Sequence, residues 1–143
     1  MNTFKTKSNS FLPIWVYCFI TLEIVLIIGV TVAAINDITV MHPDQTGPSY
    51  LGSLYITRNF VAILGLAVST YFLRSYIAIF LALALRVITE ISDFTNSYIF
   101  ERSPDILATI PYLIVLMVVV PMVIMWILWP RVKAEISLLA QMR

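Results

Sequence analysis

Apolar residues fall in four long runs along this chain of 143 residues, and short polar segments separate them. The runs extend from about Phe11 to Ile35, Leu51 to Leu73, Ser75 to Phe94 and Ile106 to Trp129. Each reaches the length of about 20 residues that an α-helix needs to cross a hydrocarbon core. Backbone N–H and C=O groups in lipid must bond within their own segment, so each run predicts a helix. Barrel strands would instead alternate apolar and polar residues. The expectation is an all-α protein, an integral membrane four-helix bundle forming one domain over residues 1–143.

The breaks differ in kind. Between the first two runs stand His42-Pro43-Asp44 and Thr46-Gly47-Pro48-Ser49, both turn signals. Arg74 and Ser75 are nearly all that separates the second run from the third, which predicts a tight antiparallel hairpin. The segment from Thr95 to Asp105 is polar and closes on Ser103-Pro104-Asp105, a helix-starting pattern. Pro111 and Pro121 predict kinks in the fourth run.

Basic residues set the orientation. Lys5, Lys7, Arg74, Arg131, Lys133 and Arg143 fall on one side of the four runs, and only Arg102 falls on the other. By the positive-inside rule both N and C termini are expected to be cytoplasmic. Trp15, Tyr17, Trp126 and Trp129 then lie near the cytoplasmic interface, where aromatic belts form. The first run has lysines before it and Val32-Ala33-Ala34 near its end, as a cleaved signal would. It exceeds the usual apolar length of about 7–15 residues and contains Glu23, so it reads as a retained span.

Composition narrows the function. The chain is 60% hydrophobic and 12% charged, with mean hydropathy +0.93. A water-soluble domain of this size cannot hide so much apolar surface. A net charge of +1 gives no support to nucleic-acid binding through phosphate neutralisation. A lone Cys18 excludes an internal disulfide, dithiol redox chemistry and a multi-thiolate metal centre. A lone His42 excludes bis-histidine haem ligation in one chain and reads as a loop residue. Phosphate-binding loops, dinucleotide fingerprints, zinc-protease helices and nucleophile elbows are all missing from the sequence. No metal and no cofactor is assigned.

Five ionisable residues interrupt the apolar runs: Glu23, Arg58, Arg86, Glu90 and Asp93. Such residues are costly in lipid, face the bundle interior and mark functional sites by default. Arg86, Glu90 and Asp93 stand at i, i+4 and i+7, on one stripe of the third helix. Arg58 shares a face with Ala62, Gly65 and Ser69, small residues that admit a neighbouring helix. At about 1.5 Å of rise per residue, Glu23 and Arg86 both lie roughly 16–18 Å from the cytoplasmic ends of their helices. Arg58 comes out level with Glu90, and Asp93 nearer the outer mouth. Two pairs are therefore expected, Glu23 with Arg86 and Arg58 with Glu90. Three acids against two bases leave one negative charge over. Either a carboxyl holds a proton and can exchange it, or a cation or basic ligand balances it. Pairs of this kind can also serve only to fix helix register.

The sequence Tyr55-Ile56-Thr57-Arg58-Asn59-Phe60 with Gly65, followed by Arg86 and Asp93, resembles the DoxX-like group of small four-helix bacterial membrane proteins. The resemblance covers roughly residues 51–93; Glu23 and Glu90 lie outside its pattern. It implies a bacterial inner-membrane location and a quinone-linked or partner-subunit role.

The residues themselves suggest a pocket for a small lipid-soluble molecule. Arg58, Arg86, Glu23, Asn59 and Tyr112 would bind it, and Glu90 and Asp93 would be the candidate acid–base groups for isomerisation, cyclisation or redox chemistry. An accessory subunit or a proton-coupled transporter stands as the alternative. Beyond the lipid bilayer, the partners to expect are a small hydrophobic ligand, a second copy of the chain or a partner subunit.

Overall fold

A computed structural model describes residues 11–36, 50–100 and 111–142, which are helical apart from short joints and form no strand. Helix α1 is Ile14–Asn36, and α2 is Tyr50–Ala67, prolonged by a π-helical stretch Val68–Leu73. Helix α3 is Tyr76–Phe100. Helix α4 is Val120–Gln141, entered through helical residues 111–114 and a π-helical stretch Val115–Val119. Three segments among the described residues are long and apolar enough to cross a membrane: Ile14–Ala33, Ser53–Leu73 and Pro111–Gln141. Helix α3 has the length, at 25 residues, but carries Arg86, Glu90 and Asp93.

Two helices run further than the hydropathy pattern predicts. Helix α3 continues past Phe94 to Phe100 because neither proline nor glycine stands in Thr95-Asn96-Ser97 to stop it. The Thr95 hydroxyl donates back to the Ile91 carbonyl at 2.7 Å, so its polar group is satisfied within the helix. Helix α4 passes through Pro130 and ends at Gln141. Proline removes one N–H, but the following Arg-Val-Lys-Ala-Glu sequence contains good helix formers, and Val132 is buried. From Pro111 to Gln141 that is 31 residues, a rod of about 46 Å that outruns a core of about 30 Å. Just before Pro121 the helix widens, with the Val120 N–H bonded to the Val115 carbonyl five residues back. The expectations for His42, the glycine–proline turn, the Ser103-Pro104-Asp105 start, residues 106–110, Lys5, Lys7, Arg102 and Arg143 lie outside the described residues.

The predicted hairpin is present. Arg74 adopts the left-handed conformation (φ 49°, ψ 39°), reversing the chain between α2 and α3. Ser75 caps α3, its Oγ accepting the Ala78 N–H at 3.2 Å. Glu135 of α4 reinforces this cap, accepting the Ser75 hydroxyl at 2.7 Å and the Ile77 N–H at 3.1 Å. A carboxylate at a helix N-terminus also meets the positive end of the helix dipole. Tyr76 donates to the Phe11 carbonyl at 2.7 Å, so the start of the chain's described part joins the same cluster.

Toward this turn the core is apolar, built from Ile20, Leu66, Ile79, Leu83, Ile124 and Leu128. Helix α2 packs on α1 and α3, and α3 packs on α4. Much of the outer surface is apolar too, including Leu64, Phe72, Leu85 and Trp126, as expected where lipid replaces water. Polar groups gather on the other side of the apolar core, farther from the turn.

Candidate functional site

Helical spacing brings the charged side chains inward. On α1 the buried stripe Val16, Ile20, Glu23, Ile27 and Thr31 follows steps of three and four, which places Glu23 against the other helices at 1% exposure. Arg86 and Glu90 occupy the corresponding stripe on α3 and are also buried.

Arg86 stands between two carboxylates. Its Nε lies 3.7 Å from Glu23 Oε2, and its Nη1 pairs closely with Glu90 Oε1 on the next turn of α3. The Glu23–Arg86 pair is the one that depth matching predicts. It spans α1 and α3, whose backbones make few close approaches. The expected Arg58–Glu90 pair is not formed. Arg58 instead holds Asp93 in a two-pronged bond, with Nη1–Oδ1 and Nη2–Oδ2 both at 2.6 Å. The reason is directional. Side chains lean toward the N-terminus of their helix, and α2 and α3 are antiparallel. Arg58 therefore leans away from the hairpin, while Asp93, one turn beyond Glu90, leans back toward it. Glu90 leans the same way as Asp93 and meets Arg86.

The remaining candidates divide clearly. Asn59 is buried, while Thr57 on the other flank of Arg58 is exposed and bonds the Ser53 carbonyl. Tyr112 is corrected by the structure: it is 79% exposed, off the buried stripe Val118, Pro121, Ile124 and Leu128, and does not join the charges. Gly65 is less critical than its small size suggests, since a Cβ there would meet only Ala82, at 4.0 Å.

Sequence reasoning gave Tyr55 no place in the site. The Tyr55 ring lies under the Arg58 guanidinium at 4.8 Å, and its hydroxyl interacts with the Asn59 side chain one turn on. Spacing of i, i+3 and i+4 was the available signal. Outside the cluster, Thr70 in the π-helical stretch of α2 is fully buried, and its Oγ1 has no hydrogen-bond partner. Nothing in the sequence pattern marks it.

Exposure falls along the site. The Arg58 and Asp93 side chains are about a third exposed, those of Arg86 and Glu90 about a tenth, and that of Glu23 almost none. Burial therefore deepens from Arg58–Asp93 at the edge of the cluster to Glu23 inside it. Charge is distributed unevenly as well. Arg58 and Asp93 pair one to one, which leaves two carboxyl groups, Glu23 and Glu90, sharing Arg86.

Hydrogen bonding is incomplete at the same place. Among the described residues, five buried side-chain atoms have no hydrogen-bond partner, and four of them belong to this cluster: Glu23 Oε1 and Oε2, Arg58 Nε and Arg86 Nε. Buried polar atoms are nearly always paired in native proteins, so a concentration of unpaired ones has a cause. Two of these atoms, Arg86 Nε and Glu23 Oε2, face each other across the 3.7 Å ion pair, too far apart for a hydrogen bond.

Comparison of the chain with protein-family models, with curated proteins and with solved structures finds no match.

Proposed function

We propose that the chain is a membrane protein whose Glu23–Arg86–Glu90 and Arg58–Asp93 groups bind a small lipid-soluble molecule carrying both hydrogen-bond donors and acceptors. The observation that carries this reading is that four buried side-chain atoms of one charged cluster lack a hydrogen bond. Guanidinium Nε–H groups of Arg58 and Arg86 would donate to a carbonyl or hydroxyl oxygen of the ligand, and Glu23 would accept from its hydroxyl. Glu90, beside Arg86, is the acid–base residue in this reading and would exchange a proton with the ligand. Asp93, with both oxygens engaged by Arg58, would hold the edge of the cluster rather than carry protons.

In the same reading α3 is the fourth span. Only Arg74 and Ser75 separate it from an apolar helix that ends at Leu73, and it packs antiparallel against that helix, so a chain that crosses on α2 returns on α3. Its charges are covered by α1 and α2 rather than by lipid. Both termini would be cytoplasmic, by the distribution of lysine and arginine, in a bacterial inner membrane. A quinone-linked role gains support from one feature: Arg58, Arg86 and Asp93, the charged residues that carry the DoxX-like resemblance, are all members of the cluster. Isomerisation or cyclisation of a similar molecule would use the same groups.

The test is ligand-induced stabilisation in detergent, using a short-tailed benzoquinone as probe. Wild type should be stabilised against heat in a saturable way, while Glu90→Gln should fold and lose the effect. Equal stabilisation of both proteins, or of neither, would overturn the reading.

A further inference from the structure

A second site lies at the hairpin end, outside the charge cluster. Phe80 of α3 and Met125, Trp126 and Trp129 of α4 line an open apolar groove of about 250 Å³. Phe80 and Trp129 rings stand 5.5 Å apart and tilted by 39°, so they form a wall rather than a stack that closes the groove. Trp126, Trp129 and Lys133 follow at i, i+3 and i+7 on one face of α4. The Lys133 ammonium lies 5.3 Å from the centre of the Trp129 ring, which holds a cation at the rim of an apolar channel.

The surrounding charges leave this cation available. Glu135, the acid nearest in sequence, has both oxygens committed to the start of α3. Arg131 turns toward the Phe11 carbonyl and lies over the Tyr76 ring. Among the described residues no carboxylate is within ion-pair distance of Lys133. Arg74 is exposed at the same end, so Arg74, Arg131 and Lys133 outweigh Glu135 there.

From this geometry we infer that the groove is a binding site for an anionic phospholipid. One acyl chain lies against Phe80, Met125, Trp126 and Trp129, and the phosphate meets Lys133. An apolar channel alone would accept any lipid; the unpaired ammonium at its rim selects for a net negative headgroup. A basic residue at a membrane surface favours anionic over neutral lipid by about fivefold.

The experiment places the full-length Trp15→Phe protein in liposomes and excites tryptophan selectively, so that the signal comes from Trp126 and Trp129. Phosphatidylglycerol or phosphatidylcholine with brominated acyl chains is added at equal mole fraction as quencher. The brominated phosphatidylglycerol should be preferred by about fivefold. Lys133→Gln, an exposed change that leaves the core untouched, should abolish most of that preference. Equal quenching by the two lipids would overturn the proposal, as would a preference that survives Lys133→Gln. Shielding from both lipids together with cross-linked dimers would also overturn it, since a second copy of the chain would then fill the groove.

Discussion

Removing Arg86 should be far more damaging than removing Glu23, although the two residues form one ion pair. Glu23 is 3.7 Å from Arg86, a separation worth about 4 kcal/mol at an effective dielectric constant of 20. Burying the Glu23 carboxylate costs several kcal/mol, which offsets most of that attraction. Glu23→Gln removes the surplus negative charge and leaves Arg86 neutralised by Glu90. Its stability should stay within about 1 kcal/mol of wild type. Arg86→Gln leaves two buried acids without a counter-charge and should cost about 3–5 kcal/mol. Adding Glu23→Gln to Arg86→Gln should recover part of the loss, because one of the stranded acids disappears. Reversible unfolding in mixed micelles, followed by loss of helical circular dichroism, measures all three. If Glu23→Gln is as damaging as Arg86→Gln, or if Arg86→Gln is harmless, the charge assignment is wrong.

The Arg58–Asp93 bridge is about a third exposed at each side chain, so its two-pronged geometry is partly screened. A double-mutant cycle with Arg58→Gln and Asp93→Asn should give a coupling of about 1 kcal/mol, and a coupling near zero would mean that the bridge is open in solution. Glu135→Ala removes two bonds from the start of α3 and should cost about 1 kcal/mol. Hydrogen exchange should quicken at Ile77 and Ala78 while remaining unchanged around Glu90.

Hydropathy made the helices legible because long apolar runs favour a segment that closes its own hydrogen bonds. It located the hairpin at Arg74-Ser75 and the inward stripe of Arg86, Glu90 and Asp93. It ended α3 and α4 early because an apolar run reports the membrane, whereas a helix obeys backbone sterics and continues until a breaker or a lack of contacts stops it. Glu135 escaped notice for that reason: it sits on a turn of α4 beyond the apolar run. Depth counting succeeded for Glu23 with Arg86 and failed for Arg58, whose partner is chosen by the lean of its side chain rather than by the height of its Cα. Tyr112 was drawn in by its phenol alone, and its place on the outer face of the fourth helical rod could not be read without knowing which stripe packs.

A ligand site in this protein requires guanidinium groups held by carboxylates inside the bundle. Solid-state NMR in phospholipid bilayers tests this directly, by recoupling the Arg86 side-chain nitrogens to the glutamate carboxyl carbons and, separately, to lipid phosphorus. Strong dephasing by the carboxyl carbons of Glu23 and Glu90, with none from phosphorus, is the predicted result. Dephasing by phosphorus without the carboxyl signal would place Arg86 among the headgroups and contradict it.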